Sequence, residues 1–185
     1  MRNFINTLLH QVRSRALQAL LAAIILLGNL SGLASAQSAS LRFDTLSVED
    51  GLSQSSVRAI YQDAQGFMWF GTEDGLNKYD GYSFTIFRHD PENTTSLSDN
   101  TITAIYQDTQ GDIWFGTASG LDRLRPETET FEHFLYLPGD PSSLGGTSVT
   151  AIVEDTHARL WVATSDGGLS QYNRETNTFV RYPHD

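Results

Sequence analysis

The sequence contains no cysteine. That excludes disulfides, thiolate zinc sites, a thiol nucleophile and a lipid-modified N-terminal cysteine together, and leaves packing as the source of stability. Positive charge is scarce as well: 12 Lys and Arg stand against 22 Asp and Glu, for a formal charge of −10 and a pI near 4.8. With no basic run, a nucleic-acid partner would meet repulsion from its own phosphates, and none is expected. Charged residues of both signs reach only 18% beside 39% hydrophobic residues, which excludes a disordered polyelectrolyte. His89, His133, His157 and His184 share no spacing suited to zinc; they read as surface residues, and no metal or cofactor is expected.

Long hydrophobic runs are also missing, with one exception near the start. Arg2, Arg13 and Arg15 precede an uncharged apolar stretch from Ala16 to Leu27, which relaxes through Gly28, Asn29 and Gly32 into Ala34-Ser35-Ala36. This is the three-part layout of a secretory signal, with Ala34 and Ala36 at the positions the peptidase reads and cleavage after Ala36. The stretch is near the lower limit for a bilayer span, so the alternative is an uncleaved anchor. Residues 1–36 are therefore expected to be a helical export signal.

What is present in quantity is repetition. Gly66-Phe67-Met68-Trp69-Phe70-Gly71-Thr72 returns as Gly111-Asp112-Ile113-Trp114-Phe115-Gly116-Thr117 and as Ala158-Arg159-Leu160-Trp161-Val162-Ala163-Thr164, the tryptophans 45 and then 47 residues apart. A period of that length, divided into short apolar runs by turn residues, is one four-stranded propeller blade per repeat. The runs opening at Val57, Ile102 and Val149 read as the innermost strands, with small Ala59, Ala104 or Ala151 at their centres. Each ends at Asp63, Asp108 or Asp155, which starts a tight turn into the tryptophan strand; Ala158 breaks the Gly that closes this turn in the other two units. The tryptophan strands are apolar on successive residues, as for strands covered on both faces. Gly71 and Gly116 leave room for a neighbouring backbone.

The expected fold is thus all-β, a partial β-propeller of about three antiparallel four-stranded blades. Blade 1 covers 52–96, blade 2 97–143 and blade 3 144–185. Residues 37–51 hold a segment, Leu41 to Val48, which alternates like an outer strand and would close the ring in a longer array; without its partner sheet it is expected to pair opportunistically or lie loose. The chain stops at Pro183-His184-Asp185, where a further linker would begin, so the array reads as interrupted. Three blades are fewer than the four or more that close a ring, and the first and last should each turn an apolar face to water.

The repeated aspartates could be read as an acidic metal ring, and the tryptophans as sugar-stacking platforms. Turn chemistry explains the first and burial in continuous apolar strands the second, so both are expected to be structural. Binding is sought in what varies: the loops after the second strand and the segments before the innermost strand offer Glu73, Asp74, Asp99, Asn100, Ser119 and Asp166 as candidate ligand contacts. No catalytic residue is expected.

These residues resemble the two-component regulator propeller repeats of the periplasmic sensor halves of bacterial hybrid histidine kinases and diguanylate cyclases. The likeness is carried by Glu49-Asp50-Gly51-Leu52-Ser53, the Gly-x-x-Trp-x-Gly-Thr cores, Asp74-Gly75-Leu76-Asn77 with Tyr79-Asp80-Gly81, and His89-Asp90-Pro91 leading to Leu97-Ser98 and Asn100. It runs from about residue 41 to the end. The resemblance implies a non-enzymatic, exported sensor module, part of a receptor anchored in the inner membrane. Its implied partners are a small molecule or glycan, further propeller blades, a membrane-spanning transmitter that could carry kinase or cyclase activity, and a second copy in a receptor dimer. A secreted propeller enzyme acting on polysaccharide, and a passive adhesion or scaffold propeller, are the alternatives. The enzyme would need an acid and a base converging on one point.

Overall fold

The computed structural model describes residues 43–182. Its strands are β1 (Val57–Gln62), β2 (Met68–Thr72), β3 (Leu76–Tyr79), β4 (Phe84–Phe87), β5 (Ile102–Gln107), β6 (Ile113–Thr117), β7 (Leu121–Arg125), β8 (Thr130–Phe134), β9 (Val149–Glu154), β10 (Leu160–Thr164), β11 (Gly168–Asn173) and β12 (Thr178–Tyr182). They pair only with sequence neighbours, giving three antiparallel sheets, β1-β2-β3-β4, β5-β6-β7-β8 and β9-β10-β11-β12. This is the expected all-β blade architecture. The export signal expected at 1–36, with Ala34 and Ala36, lies outside the described residues.

The segment from Leu41 to Val48, expected to lie loose or pair opportunistically without its partner sheet, forms no strand over its described part. Residues 43–47 carry no regular structure, and Val48–Asp50 is a single 3-10 turn capped by Ser47 and ended by Gly51 at φ 109°. Phe43 is 87% exposed. Alternation makes a strand only where a sheet edge supplies hydrogen bonds, and the sheet edges among the described residues are not used by this segment. The Ser47–Asp50 capping box offers its backbone a local alternative.

Each innermost strand holds one extra residue. Val57 faces Thr72 and Ala59 faces Gly71, leaving Arg58 unmatched; Thr103 and Thr150 stand out in the same way. A bulge at this place raises the local twist of the strand. Thr103 uses it to donate from Oγ1 to the carbonyl of Val149 on the next innermost strand, at 2.6 Å.

The sheets stack face to face. A Cβ at Gly71 would meet Ile102 Cγ2 at 2.6 Å, and one at Gly116 would meet Val149 Cγ1 at 2.5 Å, so both glycines are set by the approach of the following blade. Between the first two sheets lie Trp69, Leu76, Leu97, Ile102, Phe115, Leu124 and Phe131. Between the second and third lie Trp114, Leu121, Phe134, Leu144, Val149, Leu160, Val162, Tyr172 and Phe179. The tryptophan of one blade therefore packs against the next: Trp69 on Phe115 with centroids 5.3 Å apart, Trp114 on Tyr172 at 4.9 Å.

The outer faces of the stack are apolar, as expected. Ile60 is 61% exposed, whereas its equivalents Ile105 and Ile152 pack into the two cores. On the third blade Trp161 is half-buried rather than core, lying on Tyr182, with Val153 and Val180 exposed beside it. It lacks, among the described residues, the neighbouring sheet that covers Trp69 and Trp114. The linkers run along the outer strands: the Phe131 amide donates to the Thr95 carbonyl and Phe179 to Ser142, both at 2.8 Å. These bonds occupy part of edges that would otherwise template pairing with another chain.

Candidate functional site

The repeated aspartates do more than start turns. Asp63 Oδ1 accepts the amides of Gln65 and Phe67, and its Oδ2 accepts the indole N–H of Trp69 at 2.8 Å. Asp108 and Trp114 repeat this at 2.8 Å, and Asp155 and Trp161 at 3.0 Å. The Trp161 indole and the His157 and Arg159 amides hold the Asp155 carboxyl far below the usual range. Three acceptances each by Asp63 and Asp108, two on Oδ1 and one on Oδ2, make them fixtures of the turn, which is the structural role expected of them, and leave one lone pair on Oδ2 over.

The six candidate contact residues sit at the other end of the blades. Glu73 and Asp74 follow β2, Ser119 follows β6, Asp166 follows β10, and Asp99 and Asn100 precede β5. The structure brings them together as fasteners within and between blades. Glu73 pairs with Arg58 and hydrogen-bonds Gln54; Ser119 donates to Asp99 Oδ2 at 2.8 Å; Thr147 donates to Asp166 Oδ2 at 3.0 Å. Every blade thus ties its lead-in segment to its loop across 19 or 20 residues, with different side chains each time. Asp74 pairs with Arg88 at 2.9 Å, and Asn100 accepts the Gly75 and His89 amides through its carbonyl and side-chain oxygens. Hydrogen bonds from Arg58 and Gln54 hold Glu73 below the ordinary carboxylate range, and the Thr147 amide does the same for Asp166. Each of these carboxylates therefore has a partner of its own.

Behind these loops one buried position changes chemistry from blade to blade. Asn77 accepts the Ser53 amide and donates to Ser53 Oγ and to the carbonyls of Phe70 and Gly75. Asp122, fully buried at the same place, accepts the Ser98 amide at 2.8 Å, and Ser170 accepts that of Gly145. Burial pushes the Asp122 carboxyl up to about 6, against the pull of the Ser98 amide and of His133. His133 Nδ1 lies 3.4 Å from Asp122 Oδ1, and its Nε2 is buried without a hydrogen-bond partner among the described residues. His133 is accordingly not the plain surface residue that its spacing suggested: in strand β8 it stands opposite Asp122 and faces into the sheet stack.

The loop end opens into a broad cleft at the third blade. It is about 660 Å³ in volume and is bounded by Tyr136, Thr164, Asp166 and Arg181, with a floor of glycines at 145, 167 and 168. The Arg181 guanidinium lies 5.2 Å from the Tyr136 ring centre and is anchored by the Ser143 and Asp140 carbonyls. Of the six expected contacts, Asp166 alone lines this cleft. Tyr136 and Arg181 were not singled out from the sequence, where one lies in a linker and the other in an outer strand without any motif. A ring face, a fixed cation and a carboxylate around exposed backbone suit a polar ligand with an apolar face.

Compared with known proteins, the chain matches the two component regulator propeller family at residues 51–74 and 96–119. It is 47% identical over 75 residues to histidine kinase P4 of Formosa agariphila, an overlap of 40% of this chain and 6% of that protein. Its fold is similar to the extracellular domain of a hybrid two component system from B. thetaiotaomicron, with a TM-score of 0.70 and 37% identity over 76% of this chain and 20% of that one. A virginiamycin B lyase from Staphylococcus aureus shares the fold alone, with a TM-score of 0.58 at 12% identity over 80% of this chain and 47% of the lyase. The chain spans only a small part of the two-component relatives that it matches.

Proposed function

From the premise that this chain carries two-component regulator propeller repeats, we propose that it is the ligand-binding, non-catalytic sensor segment of an exported receptor, acting from outside the inner membrane. The observation that carries this reading is the combined sequence and fold similarity to the extracellular domain of a hybrid two component system. The receptor would pass the binding event to a transmitter across the membrane through further blades and a spanning segment.

The ligand is a small polar molecule or glycan taken up at the loop end, in the cleft of Tyr136, Asp166 and Arg181. Glu73, Asp74, Asp99, Asn100 and Ser119 form the neighbouring rim and read the remainder of a longer ligand. Aromatic stacking on Tyr136 combined with charge-assisted hydrogen bonds to Asp166 and Arg181 is chemistry that suits a sugar ring. The way each carboxylate is tied to a partner supports binding rather than acid-base catalysis, which needs a free pair converging on one atom.

Calorimetric titration of the whole extracellular region with a panel of oligosaccharides tests this reading. Saturable binding that Tyr136→Ala weakens, without product formation, is the expected result. Turnover of any bound glycan would overturn the non-catalytic reading, and binding indifferent to both Tyr136→Ala and Asp166→Ala would remove the ligand from this cleft.

A further inference from the structure

At the end of the blades opposite the cleft, a cavity of about 80 Å³ lies between the first and second sheets, walled by Asp63, Trp69, Lys78, Leu124, Pro126 and Glu129 among others. The repeat supplies its own comparison. Leu124 faces Phe131 in the register where Tyr172 faces Phe179, so Leu124 and Tyr172 are equivalent, and Pro126 and Arg174 stand two residues further on. Between the second and third sheets the corresponding place is filled by those two larger side chains. Arg174 Nη1 reaches Asp108 Oδ2 at 2.8 Å, and its Nη2 reaches Glu154 Oε1 at 3.1 Å. The Tyr172 ring closes the wall against Trp114, and its hydroxyl takes a hydrogen bond from Arg123.

At the first interface the acceptor remains and its cation does not. Asp63 is as buried as Asp108 and holds its tryptophan in the same way, yet among the described residues it forms no ion pair. Gln107 stands where Glu154 does. Its oxygen is spent on the Ala64 amide and its nitrogen on the Gly111 carbonyl, so it keeps the blade-to-blade bond but contributes no charge. A second carboxylate reappears at the rim as Glu129, in the position of Asn177. Lys78 makes no ion pair with Asp63: its ammonium sits over the Phe67 ring at 4.4 Å, lies 5.5 Å from the Trp69 ring centre and pairs with Glu129 at 3.6 Å. Asp112 on the same wall is held by Arg123 at 3.3 Å.

We propose that this cavity is a second binding site, independent of the loop-end cleft, and that it takes the head of an alkylguanidinium. The guanidinium donates to Asp63 Oδ2 as Arg174 donates to Asp108, with Glu129, shared with Lys78, as the outer counter-charge and the alkyl stem against Trp69 and Leu124. Planar guanidinium forks suit such paired carboxylates better than a point-charge ammonium. The volume admits a guanidinium head, and is well below the several hundred Å³ of a pocket for a whole drug-sized ligand or sugar.

Agmatine is the probe, titrated into the whole chain by calorimetry with tryptophan emission as a second readout, beside the neutral isostere N-butylurea. One agmatine should bind per chain, and butylurea should bind at least about tenfold more weakly. Pro126→Arg supplies the missing group from within; it should weaken agmatine by about tenfold or more and raise the melting temperature. Arg174→Ala should open a matching site at the second interface, so that agmatine restores the lost melting temperature and the stoichiometry rises to two. If Arg174→Ala does not fold, the Pro126→Arg comparison still decides. No agmatine binding at millimolar concentration, equal binding of butylurea, or binding unchanged by Pro126→Arg would each overturn the proposal.

Discussion

Asp108 accepts the indole N–H of Trp114 at 2.8 Å while its other oxygen accepts the amides of Gln110 and Asp112. One carboxylate thereby fixes a turn, sets the rotamer of the largest core residue and, through Arg174, fastens the next blade. Asp108→Ala leaves these donors unpaired, the Trp114 indole deep in the stack, and should cost about 2–4 kcal/mol in urea unfolding. Asp155→Ala should cost less, because the half-buried Trp161 can turn its indole N–H to water.

Asp122 should be replaceable at a gain. Its folded pKa is raised to about 6 from an ordinary 3.8, so between these values the folded state binds more protons than the unfolded one, and stability falls as pH rises. The contribution is complete below pH 4 and gone above pH 6. His133, 3.4 Å away, and Asp99 act on the same carboxyl, the first lowering and the second raising its pKa. Asp122→Asn reproduces the Asn77 arrangement of the first blade, keeps the acceptor for the Ser98 amide and removes the buried charge. It should stabilise the chain at pH 7.5 by about 1–3 kcal/mol, with the gain shrinking by pH 4. Thermal unfolding of both proteins across that range checks the sign.

Gly116→Ala tests the closeness of the stack. The added methyl would lie 2.5 Å from Val149 Cγ1 and 3.2 Å from the Ala104 Cβ, in a place where neither neighbour can swing aside without moving an innermost strand. A loss of about 1–3 kcal/mol is expected. Gly71→Ala, set against Ile102, should behave alike, with both read from denaturant midpoints.

Ala158 holds the turn that Gly66 and Gly111 hold, at φ 58° against 94° and 92°, and makes the same amide bond back to its aspartate at 3.0 Å. A left-handed alanine is strained where glycine is not, although glycine has more freedom to lose on folding. The balance favours Ala158→Gly by about 0.5–1 kcal/mol, measurable as a rise in melting temperature.

How much of this could be read beforehand depended on whether the determinant was local. The strands, the Asp turns and the clearance at Gly71 and Gly116 follow from alternation, turn chemistry and a fixed period, all written within one repeat. The segment from Leu41 to Val48 has the right alternation too, but a strand also needs an edge to join, and that is a property of the surroundings. Trp161 reads like Trp69 and Trp114 because the motif is the same; its exposure depends on the neighbouring sheet. The Asp122 and His133 pair crosses two strands and leaves no spacing to notice. The interblade cavity could have been found by aligning the repeats, since it is the place where Leu124 and Pro126 are short of Tyr172 and Arg174. The side chains alone do not say that those two reach across to the preceding blade.

The loop fasteners join Gln54 to Glu73, Asp99 to Ser119 and Thr147 to Asp166, one amide–acid and two oppositely ordered hydroxyl–acid couples spanning nearly the same length of chain. A scaffold that accepts amide with acid, acid with hydroxyl, and hydroxyl with acid at one location is indifferent to which side carries the carboxylate and to whether an amide or a hydroxyl donates to it. Diversification of that end should therefore proceed by swapping matched couples: a lone change strands its mate, whereas a transplanted couple arrives already satisfied.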